Sequence, residues 1–314
     1  TLVMDIVVLC GGNSTEREVS ISSGYNVCQA LREKNHNAIL MDVFFGMDNC
    51  DIFETSKNTY DVTKEKDYIK SLSTKVKETE GKRKSFFGNN VIEICKKADI
   101  VFLALHGKNG EDGKCQAAFD LYGIKYTGSG HLASAMGMDK AVTKQIFMSK
   151  GVPTAKSVWV KKGEDTDLNR LNMSLPLVVK ACNGGSSVGV VLVKDEKDYQ
   201  NAVEECFKYD NEILIEDFIE GREFSIGVLN GKALPIVEII PREGWYDYEN
   251  KYKDGATTHV CPANLSDELT EKMQQVAVDA CDAIGCSLCS RADVMMDKAG
   301  NMFCLEVNTL PGMT

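Results

Sequence analysis

The chain has 314 residues, 43% hydrophobic and 26% charged, with a net charge of −10. That length exceeds one small core and sets an expectation of two or three domains. The negative balance argues against broad binding to nucleic acid or to anionic membranes, and no run of about 18 apolar residues marks a membrane-spanning helix.

Residues 4–10 (MDIVVLC) form a continuous apolar run, the pattern of a buried parallel strand. The start of the chain lacks a basic region and a small-residue cleavage site, so no secretory signal is expected and a cytoplasmic location is. GGNSTE follows, with Ser14 and Thr15 as cap candidates for a helix to about Lys34, then a strand over about Ala38–Phe44. Residues 50–90 are polar and charge-rich and read as a solvated excursion. ADIVFLALHG is the next buried strand; it runs into the loop GKNGEDG and a helix. This alternation predicts a small, mostly parallel sheet with ligand loops at the strand C-termini.

The pattern changes after about Thr127. The stretch Leu132–Lys150 reads as helix and Lys156–Val160 as strand. LPLVVKA and SVGVVLV are strands around CNGGSS, followed by a helix over Glu196–Phe207 and a strand over Glu212–Glu216. Asn230-Gly231 between two apolar-rich runs predicts a hairpin. A long loop from Pro241 to Ala263 then carries Trp245, Tyr246, Tyr248 and Tyr252, as a lid or binding loop does. A helix over Asp267–Ile284 and a final hairpin close the order of elements.

The twelve cysteines are scattered and read as reduced, mostly buried thiols; the one C-x-x-C pair, Cys286 to Cys289, has no second pair and no neighbouring His, so a zinc site is not expected.

The register of the last hairpin follows from its apolar pattern. Ala292, Val294 and Met296 share one face of the first strand; Phe303, Leu305 and Val307 share one face of the second. Pairing Val294 with Leu305 sets Asp293 opposite Glu306 and Arg291 opposite Asn308, around a loop of Lys298–Asn301. Two carboxylates and a carboxamide are hard ligands suited to Mg²⁺, and an adjacent arginine suits a developing oxyanion or phosphate. A solvated strand face with ordinary ion pairs is the other reading these residues leave open. The loop from Lys180 to Gly189 offers backbone N–H groups to a phosphate and a lysine at the strand end; a plain flexible hairpin loop is its alternative. It is not a Walker A loop, and GEDGKC at 110–115 has the wrong spacing for one. Glu216 at a strand end and Glu223 at the next strand's start fit an adenine and ribose site, or are simply surface carboxylates.

Eight stretches in order, GGNSTEREVSISSG, LALHGKNGEDG, YTGSGHLASAMGMDKAVTK, VVKACNGGSSVGV, EGREFSIGVL, WYDYENKY, SRAD and LEVNTLPGMT, resemble the D-alanine–D-alanine ligase family of the ATP-grasp superfamily over nearly the whole chain. The resemblance implies an α/β, partly α+β, ATP-grasp fold. An N-terminal parallel α/β substrate domain (1–128), a central domain (129–219) and a C-terminal catalytic domain (220–314) would sandwich ATP between the last two. It implies that Lys140 and Lys180 contact ATP phosphates under the Gly184–Gly189 loop with Ser186, Ser187 and Val188, and that Glu216, Ile219 and Glu223 line the adenosine site. It implies two Mg²⁺ ions, replaceable by Mn²⁺, on Asp293, Glu306 and Asn308. Glu16 would bind the ammonium of the first D-alanine, with His106 near its carboxylate; Glu16, Ser186 and Tyr252 would link domains; Lys251 would help hold substrate. Arg291 and the N–H of Gly312 would stabilise the tetrahedral oxyanion.

The implied activity is ATP-dependent joining of two D-alanines through a D-alanyl phosphate, for peptidoglycan precursor synthesis, by a cytoplasmic homodimer with no nucleic-acid or membrane partner. A ligase adding D-serine is the alternative; D-lactate is disfavoured because Lys251-Tyr252 is present, and a silent nucleotide-binding protein because the proposed site residues all are. The sequence departs from the family pattern at Ala181, where proline is common, and at Cys289-Ser290, where small apolar residues are. Family members continue beyond the Pro-Gly-Met turn, so the natural chain is expected to extend past Thr314 with residues that help read the second substrate.

Overall fold

The computed structural model describes residues 2–57, 59–185, 188–241 and 257–314, in two compact units, Thr1–Ala135 with Leu310–Thr314 and Met136–Thr309.

The first unit runs β1 (Asp5–Cys10), α1 (Arg17–Glu33), β2 (Asn37–Asp42), α2 (Ile52–Ser56), α3 (Val62–Ser71), α4 (Val76–Lys82), α5 (Val91–Lys97), β3 (Ile100–Leu103), α6 (Lys114–Tyr122) and the start of α7 (His131–Met138). The strands form a parallel sheet in the order β2-β1-β3. Alternate residues feed opposite layers, Val7, Leu9, Ile39 and Met41 into one and Val8, Cys10, Ala38 and Leu40 into the other, which is why the strands are apolar throughout. The charged 50–90 stretch is mostly helical and largely exposed, yet Val62 and Ile69 of α3 are buried in the layer under α1. Arg17, 6% exposed, ties this stretch to the β1–α1 loop. It donates to Gly12 O (2.7 Å), Asp42 Oδ2 (2.5 Å), Ile69 O (3.2 Å) and Ser73 Oγ (3.0 Å).

The second unit opens with α8 (Lys140–Lys150). The expected single helix over Leu132–Lys150 is two, because the side chain of Asp139 caps a new start by accepting from the N–H groups of Ala141 and Val142. Strands β4 (Ser157–Lys161), β5 (Leu177–Ala181), β6 (Val190–Val193) and β7 (Glu212–Asp217), with α9 (Glu196–Cys206), make an antiparallel sheet in the order β4-β7-β5-β6. The last sheet holds β8 (Gly221–Leu229), β9 (Lys232–Ala233), β10 (Val237–Pro241), β11 (Thr257–Val260), β12 (Cys289–Asp297) and β13 (Met302–Asn308), with α10 (Asp267–Ile284) against β8, β12 and β13. Its order is β11-β10-β8-β12-β13, with β9 beside β8. Asn230 and Gly231 turn the β8–β9 hairpin at φ 49° and 72°, the positive values of a type I′ turn. The stretch read as one long loop from Pro241 to Ala263 contains β11, which pairs Thr257 with Pro241.

The final hairpin corrects the expected register at one residue. Asp293 pairs with Glu306 and Arg291 with Asn308, as the apolar pattern predicts, but Val294 faces Cys304, with a bulge between Asp293 and Val294 that leaves Leu305 unpaired. The bulge shifts the side-chain alternation by one. Met302, Cys304 and Val307 are therefore the buried residues of β13, and Phe303 and Leu305 are only half-buried. Leu305→Ala is expected to cost well under the roughly 2–5 kcal/mol of a fully buried leucine, measured by urea unfolding. A loss within that range would restore the unbulged register.

Candidate functional site

Directly opposed residues of an antiparallel pair share a face. Glu223 and Ser225 of β8, Arg291 and Asp293 of β12, and Glu306 and Asn308 of β13 thus lie on one face of the last sheet, since Ser225 pairs with Asp293 and Gly227 with Arg291. The opposite face presents Phe224, Ile226, Ala292 and Val294 to the core. Asp293 is 6% exposed and well supplied with donors. Its Oδ1 accepts from Ser225 Oγ (2.8 Å) and Arg291 Nε (2.9 Å), and its Oδ2 from Arg291 Nη2 (2.9 Å) and Asn308 Nδ2 (3.2 Å). This fork fixes the guanidinium plane against the carboxylate.

The expected metal set is tested by its chemistry. Among the described residues no three His, Cys, Asp or Glu side chains cluster as a metal site. Asp293 and Glu306 with the carboxamide of Asn308 are instead a hard, all-oxygen set on neighbouring strands, which fits Mg²⁺ and does not fit zinc. Asp293 would take a cation by yielding a protein donor, because Arg291 already spans both its oxygens.

A second cluster sits where α8, β5 and β7 meet. Glu216 is 2% exposed and its two carboxylate oxygens go to two lysines: Oε2 lies 2.8 Å from Lys144 Nζ, and Oε1 contacts Lys180 Nζ. Burial alone would raise the Glu216 pKa; the two ammonium groups more than offset that and hold it below the usual glutamate value. Burial pushes the Lys144 pKa down, against the pull of Glu216. Lys180, next to last in β5, stands before the glycine loop, whose Gly184 and Gly189 take φ 125° and 68°. Lys140 reaches the same loop, donating from Nζ to Gly184 O (2.7 Å), while its own N–H donates to Cys182 O (2.9 Å). Ile219 and Glu223 are half-buried and Val188 is exposed.

In the first unit Glu16 and His106 are brought together. Gly107, at φ 69°, sits against the β1–α1 loop: a Cβ there would lie 2.9 Å from Glu16 Oε2 and 3.1 Å from Ser14 Oγ. Ser14 Oγ donates to His106 O (2.8 Å) and accepts from the Glu16 N–H (3.2 Å). The His106 ring, 6% exposed, lies between Ser23 Oγ (3.3 Å from Nε2) and Leu310 O (3.2 Å from Nδ1). A carbonyl oxygen only accepts, so Nδ1 is the donor in its contact with Leu310 O. Ser23 Oγ also accepts from the Met313 N–H (3.1 Å), so the residues on either side of Pro311-Gly312 are both anchored.

Ser186, Ser187, Lys251 and Tyr252 lie outside the described residues. The sequence reading missed Lys144, Ser225 and Ser23. Lys144 carries a usable signal, standing four residues after Lys140 on one helix face, and Ser225 stands two residues after Glu223 on one strand face. The twelve cysteines are free, and burial pushes the thiols of Cys28, Cys95, Cys182 and Cys206 up to about 12.

A family model described as D-ala D-ala ligase N-terminus matches residues 5–129, and one described as D-ala D-ala ligase C-terminus matches residues 146–314. The chain belongs to the D-alanine–D-alanine ligase family. Its relatives in that family include the D-alanine–D-alanine ligases of Pediococcus pentosaceus, 42% identical over 99% of this chain and 90% of that protein, and Lacticaseibacillus casei, 39% identical over 99% and 88%. Among solved ligases, the Bacillus anthracis structure complexed with ATP matches with a TM-score of 0.75 at 31% identity, covering 100% of this chain and 88% of that one. The Coxiella burnetii ligase matches with a TM-score of 0.77 at 28% identity over 100% and 86%. The mixed sheets described above are the ATP-grasp fold of these ligases.

Glu216 yields a prediction independent of turnover. Glu216→Gln leaves two buried ammonium groups on a neutral amide and is expected to lose about 3–5 kcal/mol in denaturant unfolding. Because the folded pKa is lowered, that contribution is complete above the ordinary value of about 4.3 and is lost as pH falls through the folded value. The gap between wild type and variant should therefore close on acidification below pH 4; a gap constant with pH would mean the carboxylate charge contributes nothing.

Proposed function

We propose that this chain joins two D-alanines at the expense of ATP, through a D-alanyl phosphate, in peptidoglycan precursor synthesis. The observation that carries the reading is the opposition of Asp293 and Glu306 on one sheet face, with Arg291 and Asn308 beside them, in a chain of this family. Asp293, Glu306 and Asn308 would hold Mg²⁺, replaceable by Mn²⁺ and two ions in the full reading, which when bound neutralises charge on the transferring phosphoryl group.

The remaining roles are assigned to the chain's own residues. Lys140 and Lys180 hold the ATP phosphates, with the Gly184–Gly189 loop and its Ser186, Ser187 and Val188 over them; Glu216, Ile219 and Glu223 hold the adenosine. Glu16 takes the ammonium of the first D-alanine, supported by Ser186 and Tyr252, while His106 and Lys251 help hold substrate. A carboxylate oxygen of that D-alanine attacks the γ-phosphorus and ADP leaves. The amine of the second D-alanine then attacks the acyl carbon, loses a proton, and phosphate departs. Arg291 and the Gly312 N–H donate to the oxyanion formed in that step. Water kept from the acyl phosphate prevents its hydrolysis.

Three domains with the boundaries expected from the sequence, a homodimer and a cytosolic setting belong to the same reading. The free thiols agree with a reducing compartment, and no helix of the described residues is long and apolar enough to cross a membrane.

Phosphate release is measured with ATP and Mg²⁺, with D-alanine alone and with D-serine added, together with identification of the dipeptide. D-Alanyl-D-alanine formed one-to-one with phosphate is expected; a mixed D-alanyl-D-serine product would instead place the chain with the D-serine ligases, and no stimulation by any D-amino acid would overturn the reading. Glu306→Gln is expected to lower kcat by at least about a hundredfold. Unchanged turnover would sink the metal assignment.

A further inference from the structure

Lys144 has no role in the steps above, yet it is 2% exposed and points its ammonium into the site cluster. Its ammonium forms an ion pair with Glu216 Oε2 at 2.8 Å, by distance and charge and without hydrogen-bond geometry, and donates to Ala155 O (3.3 Å). Lys180 takes the other carboxylate oxygen and is the more exposed of the two lysines, its side chain 11% exposed against 2%. Glu216 and Lys180 alone would already be a neutral pair, so Lys144 is not needed for charge balance. Burying a second ammonium costs several kcal/mol of desolvation. The Lys144 ammonium faces the Glu216 carboxylate, so what it does to a bound molecule it does through Glu216.

We propose that Lys144 is a positioning residue for the nucleotide: by occupying Oε2 it confines Lys180 to Oε1 and keeps the Lys180 ammonium turned toward the phosphates. An ammonium carries three N–H donors. With Oε2 taken, Glu216 engages Lys180 through one oxygen, and the other donors remain for an anion at the glycine loop. Without Lys144, the carboxylate can turn both oxygens to Lys180 and draw its charge away from the phosphates. This inference rests on the ligase reading and specifies how its nucleotide lysine is held.

The test uses Lys144→Met, Lys180→Met and the double variant, in the full chain. Steady-state phosphate release gives KM for ATP and for D-alanine; calorimetric titration with a non-hydrolysable ATP analogue and Mg²⁺ gives affinity. Lys144→Met keeps the Glu216–Lys180 pair and is expected to fold; Lys144→Gln, uncharged and polar, is the second variant, with the same expectation. KM for ATP should rise at least about tenfold while KM for D-alanine stays within about twofold. The double variant should bind the analogue no more weakly than Lys180→Met alone, because Lys144 acts through Lys180. A KM for ATP within twofold of wild type, equal rises in both KM values, or losses that add in the double variant would each overturn the proposal. Wild type inactive with D-alanine would instead be a failure of the ligase reading itself.

Discussion

Glu216 is a buried carboxylate held between two ammonium groups at the centre of the four-stranded sheet. Its strand β7 is central to the four-stranded sheet, flanked by β4 and β5. Lys180 comes from β5 and Lys144 from α8. One ionic cluster therefore ties two strands and a helix at the place where the glycine loop leaves the sheet. A buried pair is a poor source of net stability, but breaking one is costly, and that asymmetry makes the geometry hard to change. The proposed nucleotide site depends on that rigidity, because a phosphate-binding lysine works only where its charge is held in place.

The six-stranded sheet solves a different problem. A strand shows alternate faces, so Cys304 and Glu306, two residues apart, would share one. The bulge at Leu305 separates them, sending Cys304 into the core and Glu306 to the face of Asp293. One extra residue thus lets a short strand supply both a packed interior and a row of oxygen donors. Ser225, Arg291 and Asn308 then fix the Asp293 carboxylate from three strands.

Much of this was legible from residue pattern. The apolar runs of β1 and β3, the Asn-Gly turn and the helix over Asp267–Ile284 carry strong local signals, and the structure has them. The opposition of Asp293 and Glu306 was legible because polar and apolar residues alternate on both strands. The bulge was not, since no glycine or proline marks it. The break at Asp139 was written as an Asp-Lys cap within a continuously helical stretch, where helix propensity masks it. Lys144 escaped notice because burial of a lysine depends on a carboxylate 72 positions away on another element. The loop serines and the aromatic stretch around Tyr252 fall outside the described residues, and their roles rest on the family pattern.

The two ionic arrangements are complementary in the proposed reaction: the lysines hold the nucleotide, and the carboxylate face manages the charge that moves between nucleotide and amino acid. The central claim is that an acyl phosphate connects the two halves of the chemistry. The most direct measurement supplies D-alanine labelled with ¹⁸O in its carboxylate, together with ATP, and follows the label by mass spectrometry. The account predicts one ¹⁸O in the inorganic phosphate for each dipeptide formed. Dipeptide formed with unlabelled phosphate would contradict it.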